Sequence, residues 1–203
     1  MTIWAIVPVK PLRRGKSRLA GMLSEEQRTR LNRHLLEHTL NVLNDTSEIA
    51  HTLVVSRDPA ALALTRDMGG RTVLEDGAPQ FNTAILRATI VAQAHGAHAV
   101  LILPADIPRV KSRHLHKLLK LGETPPAAVI TPDRRKDGTN CLFINPAGLF
   151  EYGYGPGSFE RHCERARQAG ARLKIMDNAD LGLDLDLPED LEFLGGLEVL
   201  GLE

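Results

Sequence analysis

Short segments rich in cations, glycines or acids recur along this chain beside apolar runs, and their residue types suit phosphate and divalent-metal chemistry. Lys10, Arg13, Arg14, Lys16 and Arg18 crowd into residues 10–18 with no acid among them. A basic turn of this kind is either solvated or bound to an anion. Its place directly after the apolar run 3–9 favours the anion, because ligands of open α/β sheets bind beyond the carboxyl ends of strands. Gly15 permits close backbone approach to a phosphate, and Lys10 and Lys16 counter its charge. A Walker-type P-loop is excluded, since position 10 is Lys where that motif needs glycine.

The acidic candidates are Asp106, Asp184 and Asp186. Asp106 follows the apolar run 99–103 and is bracketed by Pro104 and Pro108. An aspartate there caps a turn or holds a metal. Asp184 and Asp186 alternate with Leu181, Leu183, Leu185 and Leu187, and period-two alternation sends both carboxylates to one face of an extended segment. A solvent-facing strand would alternate in the same way. Like charges side by side are costly unless a cation joins them, and oxygen-only ligation favours magnesium or manganese over zinc. Thr139 and Asn140, after Asp137-Gly138, offer a hydroxyl and an amide to a small anion. Gly153, Gly155 and Gly157 lead to Ser158, the expected N-cap of a helix and a ready carboxylate or phosphate site.

The elements that must position these groups follow from periodicity. Continuous apolar runs at 3–9 and 99–103 are strands covered on both faces. Further strands are expected at 52–56, 72–75, 127–131, 141–144 and 171–176. Ser24 with Gln27 is a capping-box signal for a helix to about residue 45, its leucines recurring at helical spacing. Other helices are expected from Pro59 to Gly69-Gly70, from Asn82 to His95, over 111–121, from Ser158 to Gln168 and from Pro188. A Gly/Pro loop separates the strand at 72–75 from Asn82. The alternation predicts an α/β three-layer αβα sandwich with a mostly parallel, mixed sheet, Rossmann-like in character. One domain over 1–203 is expected, with 132–157 as an insertion over the sheet edge that forms part of the acceptor site.

Composition narrows the partners. The 203 residues hold 25 Lys plus Arg and 25 Asp plus Glu, so no overall charge bias points to nucleic acid or a membrane. No apolar stretch approaches membrane-spanning length and the start lacks a basic leader, so a cytoplasmic protein is expected. Cys141 and Cys163 lack zinc-ligand spacing and define no disulfide framework. The histidines form no metal set, and His162 reads as surface or packing. No Ser/His/Asp arrangement stands out. The apolar tail 194–202 packs on its own core or on a partner, which leaves a homodimer open.

The motifs Pro8-Val-Lys-Pro through Gly15-Lys-Ser-Arg-Leu19, Pro104-Ala-Asp-Ile-Pro108, Asp137-Gly-Thr-Asn140, Tyr154-Gly-Pro-Gly-Ser-Phe159 and Leu185-Asp-Leu-Pro188 occur in this order. On them the chain closely resembles the 2-phospho-L-lactate or phosphoenolpyruvate guanylyltransferases of deazaflavin coenzyme F-420 biosynthesis. The resemblance runs from Val7 to about Leu194. It implies the nucleotide-diphospho-sugar-transferase-like fold, shared with molybdenum-cofactor guanylyltransferase. It further implies that Asp106, Asp184 and Asp186 hold magnesium, as two ions, and that Lys16, Thr139, Gly155 and Ser158 hold the phospho-acid. GTP is the implied co-substrate, met by Lys10, Arg13, Gly15, Lys16, Asn82 and Pro104, with Lys16 and Asp106 in catalytic roles. Phe81 stands where a smaller apolar residue is expected beside Asn82. Rival readings are transfer to a sugar phosphate or a molybdopterin-type acceptor, and a non-catalytic nucleotide-binding protein on the same fold.

Overall fold

A computed structural model describes residues 1–77 and 80–201. Its elements run β1 (Ile3–Val9), α1 (Glu25–Asn44), β2 (Ile49–Ser56), α2 (Pro59–Asp67), β3 (Arg71–Leu74), α3 (Phe81–Ala94), β4 (Ala99–Ile102) and α4 (Ser112–Leu121). They continue through β5 (Ala127–Pro132), β6 (Thr139–Asn145), α5 (Ser158–Gln168), β7 (Arg172–Ile175), α6 (Ala179–Gly182) and α7 (Pro188–Leu194). The strands form one seven-stranded sheet in the order β3-β2-β1-β4-β6-β5-β7. β6 runs antiparallel to both of its neighbours, and the other pairings are parallel.

Alternation along the central strands builds the three layers. Ile3, Ala5 and Val7 pack with Leu36, Leu40 and Leu43 of α1 and with Leu115 and Leu118 of α4 on one face. Trp4 and Ile6 pack with Ala84, Ile85 and Ala88 of α3 and with Cys163 of α5 on the other. Burying each large apolar side chain contributes roughly 1.5–3 kcal/mol, so two covered faces fix the register of β1 strongly. The capping box of α1 is made as its sequence predicts: Gln27 N–H donates to Ser24 Oγ at 3.2 Å, and Ser24 N–H donates to Gln27 Oε1 at 2.9 Å.

Only the edge placement expected for 132–157 differs in the structure. Pro132 ends β5, and Thr139–Asn145 is an interior strand between β4 and β5 rather than a flap over the edge. The reversed direction matters for the site. An antiparallel strand brings its first residue, not its last, to the carboxyl edge of its neighbours. Thr139 pairs with Pro132 at the end of β5, so 137–140 lie beside the loops that follow β1 and β4.

A third apolar cluster ties distant segments together. Leu19, Leu23, Leu31 and Leu35 pack against Leu183, Leu185, Leu191 and Leu194, with Leu197 and Leu200 partly buried on the same cluster. Leu197 and Leu200 therefore place the tail on its own core; Leu202 lies outside the described residues, as does Pro79 of the expected Gly/Pro loop. Among the described residues no helix is long and apolar enough to cross a membrane.

Candidate active site

The leucine cluster explains how Lys16 meets Asp186, 170 residues later. Leu183 and Leu185 point into it, so the intervening Asp184 and Asp186 point the other way, into a cleft of about 490 Å³. That volume is typical of a small-molecule site. Leu185 N–H donates to the Asp106 carbonyl at 2.9 Å, which straps the two acidic segments together. Lys10, Gly15, Lys16, Pro104, Asp106, Thr139, Gly155, Ser158, Asp184 and Asp186 all line this one cleft.

At its centre the Lys16 ammonium donates to Asp106 Oδ2 and to Asp186 Oδ1, each at 3.0 Å, with the lysine side chain only 6% exposed. Lys16 itself is held at φ 56°, a left-handed backbone conformation uncommon for a β-carbon-bearing residue. Burial would lower the Lys16 pKa, but Asp106 and Asp186 outweigh it and hold it above its ordinary value. Burial would likewise raise the Asp186 carboxyl, and Lys16 overrides that to keep it low. Asp184 has no such partner. Burial first, then the Asp106 and Asp186 carboxylates, push it up to about 6. Among the described residues no three acidic, His or Cys side chains gather closely enough to hold an ion as they stand; the Lys16 ammonium lies between two of the expected ligands instead.

Two expected binding residues are not placed in the cleft. Arg13 is exposed and does not line it, whereas Arg18, unassigned in the sequence, does and lies 3.9 Å from Asp186. Asn82 commits its amide to backbone: Nδ2 donates to the Tyr154 carbonyl at 3.1 Å and Oδ1 accepts from Tyr154 N–H at 2.7 Å. It pins the glycine loop that carries Gly155. Asn82→Ala is therefore expected to raise KM for the acceptor severalfold while leaving that for the nucleotide near wild type. Steady-state kinetics with each substrate varied checks this, and the reverse pattern would restore a nucleotide role.

Other expected roles are refined. Gly157, at φ 69°, caps α5, and Ser158 is its first residue rather than its cap. Asn140 Nδ2 donates to the Leu181 carbonyl at 2.9 Å and to Asp184 Oδ1 at 3.4 Å, so it holds the acidic segment rather than facing a substrate freely. Gly15 is needed for space: a Cβ there would lie 2.6 Å from Asn32 Nδ2, which donates to the Leu12 carbonyl and fixes the basic loop on α1.

Asp190 was not singled out from the sequence, and of the two places expected for His162, surface or packing, the structure shows packing. Asp190 is buried; its Oδ2 accepts from the Asp186 and Leu187 N–H groups at 3.1 and 2.7 Å, and its Oδ1 from Arg134 and Arg135 at 3.0 and 3.1 Å. It thus sets the backbone that presents Asp186. The only signal in the sequence is an acid two residues after Pro188 at a helix start, a position that suits the helix dipole whatever else it does. His162 is fully buried behind Thr139. Its helix spacing gave no sign of that contact.

A family profile described as "Guanylyl transferase CofC like" matches residues 3–197. The chain belongs to this family. Among its relatives, a phosphoenolpyruvate guanylyltransferase of Rubrobacter xylanophilus is 37% identical, covering 98% of this chain and 97% of that one. A 2-phospho-L-lactate guanylyltransferase of Methanocaldococcus sp. is 32% identical over 92% of this chain and 78% of its own. In fold, the chain is similar to a CMP-2-keto-3-deoxy-manno-octonic acid synthetase solved with CTP, at a TM-score of 0.66 and 14% identity over 100% of both chains. It is also similar to a Desulfovibrio desulfuricans protein described as a candidate nucleotide-diphospho-sugar transferase, at a TM-score of 0.78 and 17% identity over 96% of this chain and 87% of that one. The CofC-like guanylyltransferase family thus accounts for nearly the whole chain, including every segment that lines the cleft.

Proposed function

We propose that the protein transfers the guanylyl group of GTP to the phosphate of a small phospho-acid, phosphoenolpyruvate or 2-phospho-L-lactate, and releases pyrophosphate. The observation that carries the reading is a single cleft where Lys10, Lys16 and Arg18 face Asp106, Asp184 and Asp186, in a chain of a guanylyltransferase family. Phosphoenolpyruvate is the first acid to offer, because the 37%-identical relative bears that name.

An acceptor phosphate oxygen attacks the α-phosphorus, a new P–O bond forms, and the bond to pyrophosphate breaks. The nucleophile is already ionised at neutral pH, so the chain needs no general base. What it must supply is alignment and charge compensation for two polyanions. Lys10 and Arg18, at the rim, meet the charge of the departing pyrophosphate, and Thr139, Ser158 and the Gly155 backbone hold the acid. Lys16 bridges the two groups.

The donor set suits a hard divalent cation. Asp106, Asp184 and Asp186 are all-oxygen ligands; two of them share the Lys16 ammonium at 3.0 Å, and burial first, then the neighbouring carboxylates, raise the third to about 6. They would hold magnesium, which when bound supplies charge neutralisation at the phosphates. EDTA is accordingly expected to abolish turnover and excess magnesium to restore it. Pyrophosphate release from GTP with each acid offered separately, with the product confirmed by mass, tests the whole reading. No release with any acid, from folded protein that binds GTP, overturns it.

A further inference from the structure

Behind the acceptor side of the cleft lies a buried chain of hydrogen bonds whose direction can be worked out. Gly153 N–H donates to His162 Nε2 at 2.9 Å, and His162 Nδ1 lies 2.9 Å from Thr139 Oγ1. Ser158 Oγ lies 3.4 Å from the same Thr139 oxygen. A backbone amide can only donate, so Nε2 carries no proton. A neutral imidazole must then carry its proton on Nδ1 and donate it to Thr139. The ring has no room to be anything else: it is 0% exposed, it packs edge-on against Tyr154 at 4.8 Å between centroids, and burial with Arg165 and Arg161 nearby lowers its pKa to about 4.

That direction decides what the cleft receives. Thr139 and Ser158 have one hydroxyl proton each, and the bond between them uses one. Because His162 donates to Thr139 rather than accepting from it, the second proton stays free for the cleft, which both residues line. The opposite tautomer would draw that proton inward and leave only lone pairs facing an anion. We propose that His162 is a positioning residue, which through Thr139 fixes the Thr139–Ser158 hydroxyl pair as a hydrogen-bond donor to the anionic acceptor. This rests on the acceptor reading above, and it makes no substrate contact of its own.

Two measurements test it. The first needs no substrate: 15N NMR of the imidazole in the intact protein is expected to find His162 neutral with its proton on Nδ1 at pH 7. A proton on Nε2, or an imidazolium, overturns the proposal whatever the substrate proves to be. The second is a double-mutant cycle. A hydrogen bond to a charged group is worth about 1.5–3 kcal/mol, so its loss corresponds to roughly tenfold or more in binding. His162→Gln keeps an acceptor for Gly153 N–H but loses the donor to Thr139, and is expected to raise acceptor KM about tenfold with GTP KM unchanged. Thr139→Val is expected to do the same, and the double variant to be no worse than Thr139→Val. His162→Asn, whose amide nitrogen stands near the place of Nδ1, should recover part of the loss. Equal rises in both KM values, or effects that multiply in the double variant, would assign His162 a packing role and overturn the proposal. If wild-type protein turns over none of the acids, the acceptor reading fails on its own. The same cycle is then read on orthophosphate binding, where weakening by His162→Gln supports the proposal and indifference overturns it.

Discussion

Asp106→Asn is expected to lower kcat/KM by about a thousandfold while the protein melts within a few degrees of wild type. Charge alignment at a reacting phosphate is an electrostatic effect, and removing one preorganised group of this kind costs about 10²–10³ or more in rate. The substitution keeps the shape of the side chain and removes only its charge. Its structural duties are small. The strap from Leu185 runs to the Asp106 backbone carbonyl, which the variant keeps. Lys16 keeps Asp186 as a partner at 3.0 Å, and Asp184 loses a like-charged neighbour that helps raise it to about 6. These effects oppose each other, so the net stability change is within about 1 kcal/mol. Steady-state kinetics beside a thermal melt checks both halves. Turnover within tenfold of wild type at saturating magnesium would remove Asp106 from the reaction, and a collapsed melt would make it a folding residue instead.

Much of this site was legible in the sequence because its logic is local. Period-two alternation around Asp184 and Asp186 tells which way two carboxylates point, and the apolar runs at 3–9 and 99–103 tell where strands end. What alternation does not tell is the surface on which Leu183 and Leu185 come to rest. That surface is built by Leu19, Leu23, Leu31 and Leu35, more than 140 residues earlier, and it helps bring Lys16 to Asp186.

The same limit explains the corrections. Asn82 carries an amide that reads equally well as a base contact or as a clamp on backbone; only the folded chain places Tyr154 opposite it. Strand order and direction are equally silent, since an apolar run such as 141–144 reads the same at the edge or in the interior, parallel or antiparallel. The folded sheet places this strand between β4 and β5, antiparallel to both. The partners of His162 were illegible for a related reason. A histidine flanked by Arg161 and Arg165 on an amphipathic helix reads equally as surface or as packing; α5 turns it inward to meet Thr139 and Gly153.

Lys16→Met carries the other large expectation, and it separates two roles of one ammonium. Methionine preserves the length and apolar stem of the side chain and removes the charge. Activity is expected to fall by about 10²–10³, as for loss of a group that stabilises transferring phosphate. Stability is expected to respond as well, because Asp106 and Asp186 then share the cleft with Asp184 and have no common cation. Breaking a buried ion pair costs about 3–5 kcal/mol. Here the carboxylates are 31% and 38% exposed, so solvent screening reduces the expected loss to about 1–2 kcal/mol. The melt should fall in EDTA, and magnesium should raise it more than it raises wild type, since the variant's carboxylates have no ammonium to share. Lys117→Ala, on the exposed side of α4, should change neither activity nor melt appreciably. A Lys16→Met protein that melts like wild type in EDTA and gains no more from magnesium would show that the ammonium does not neutralise this cluster. Its 3.0 Å contacts would then matter only to the substrate's phosphates.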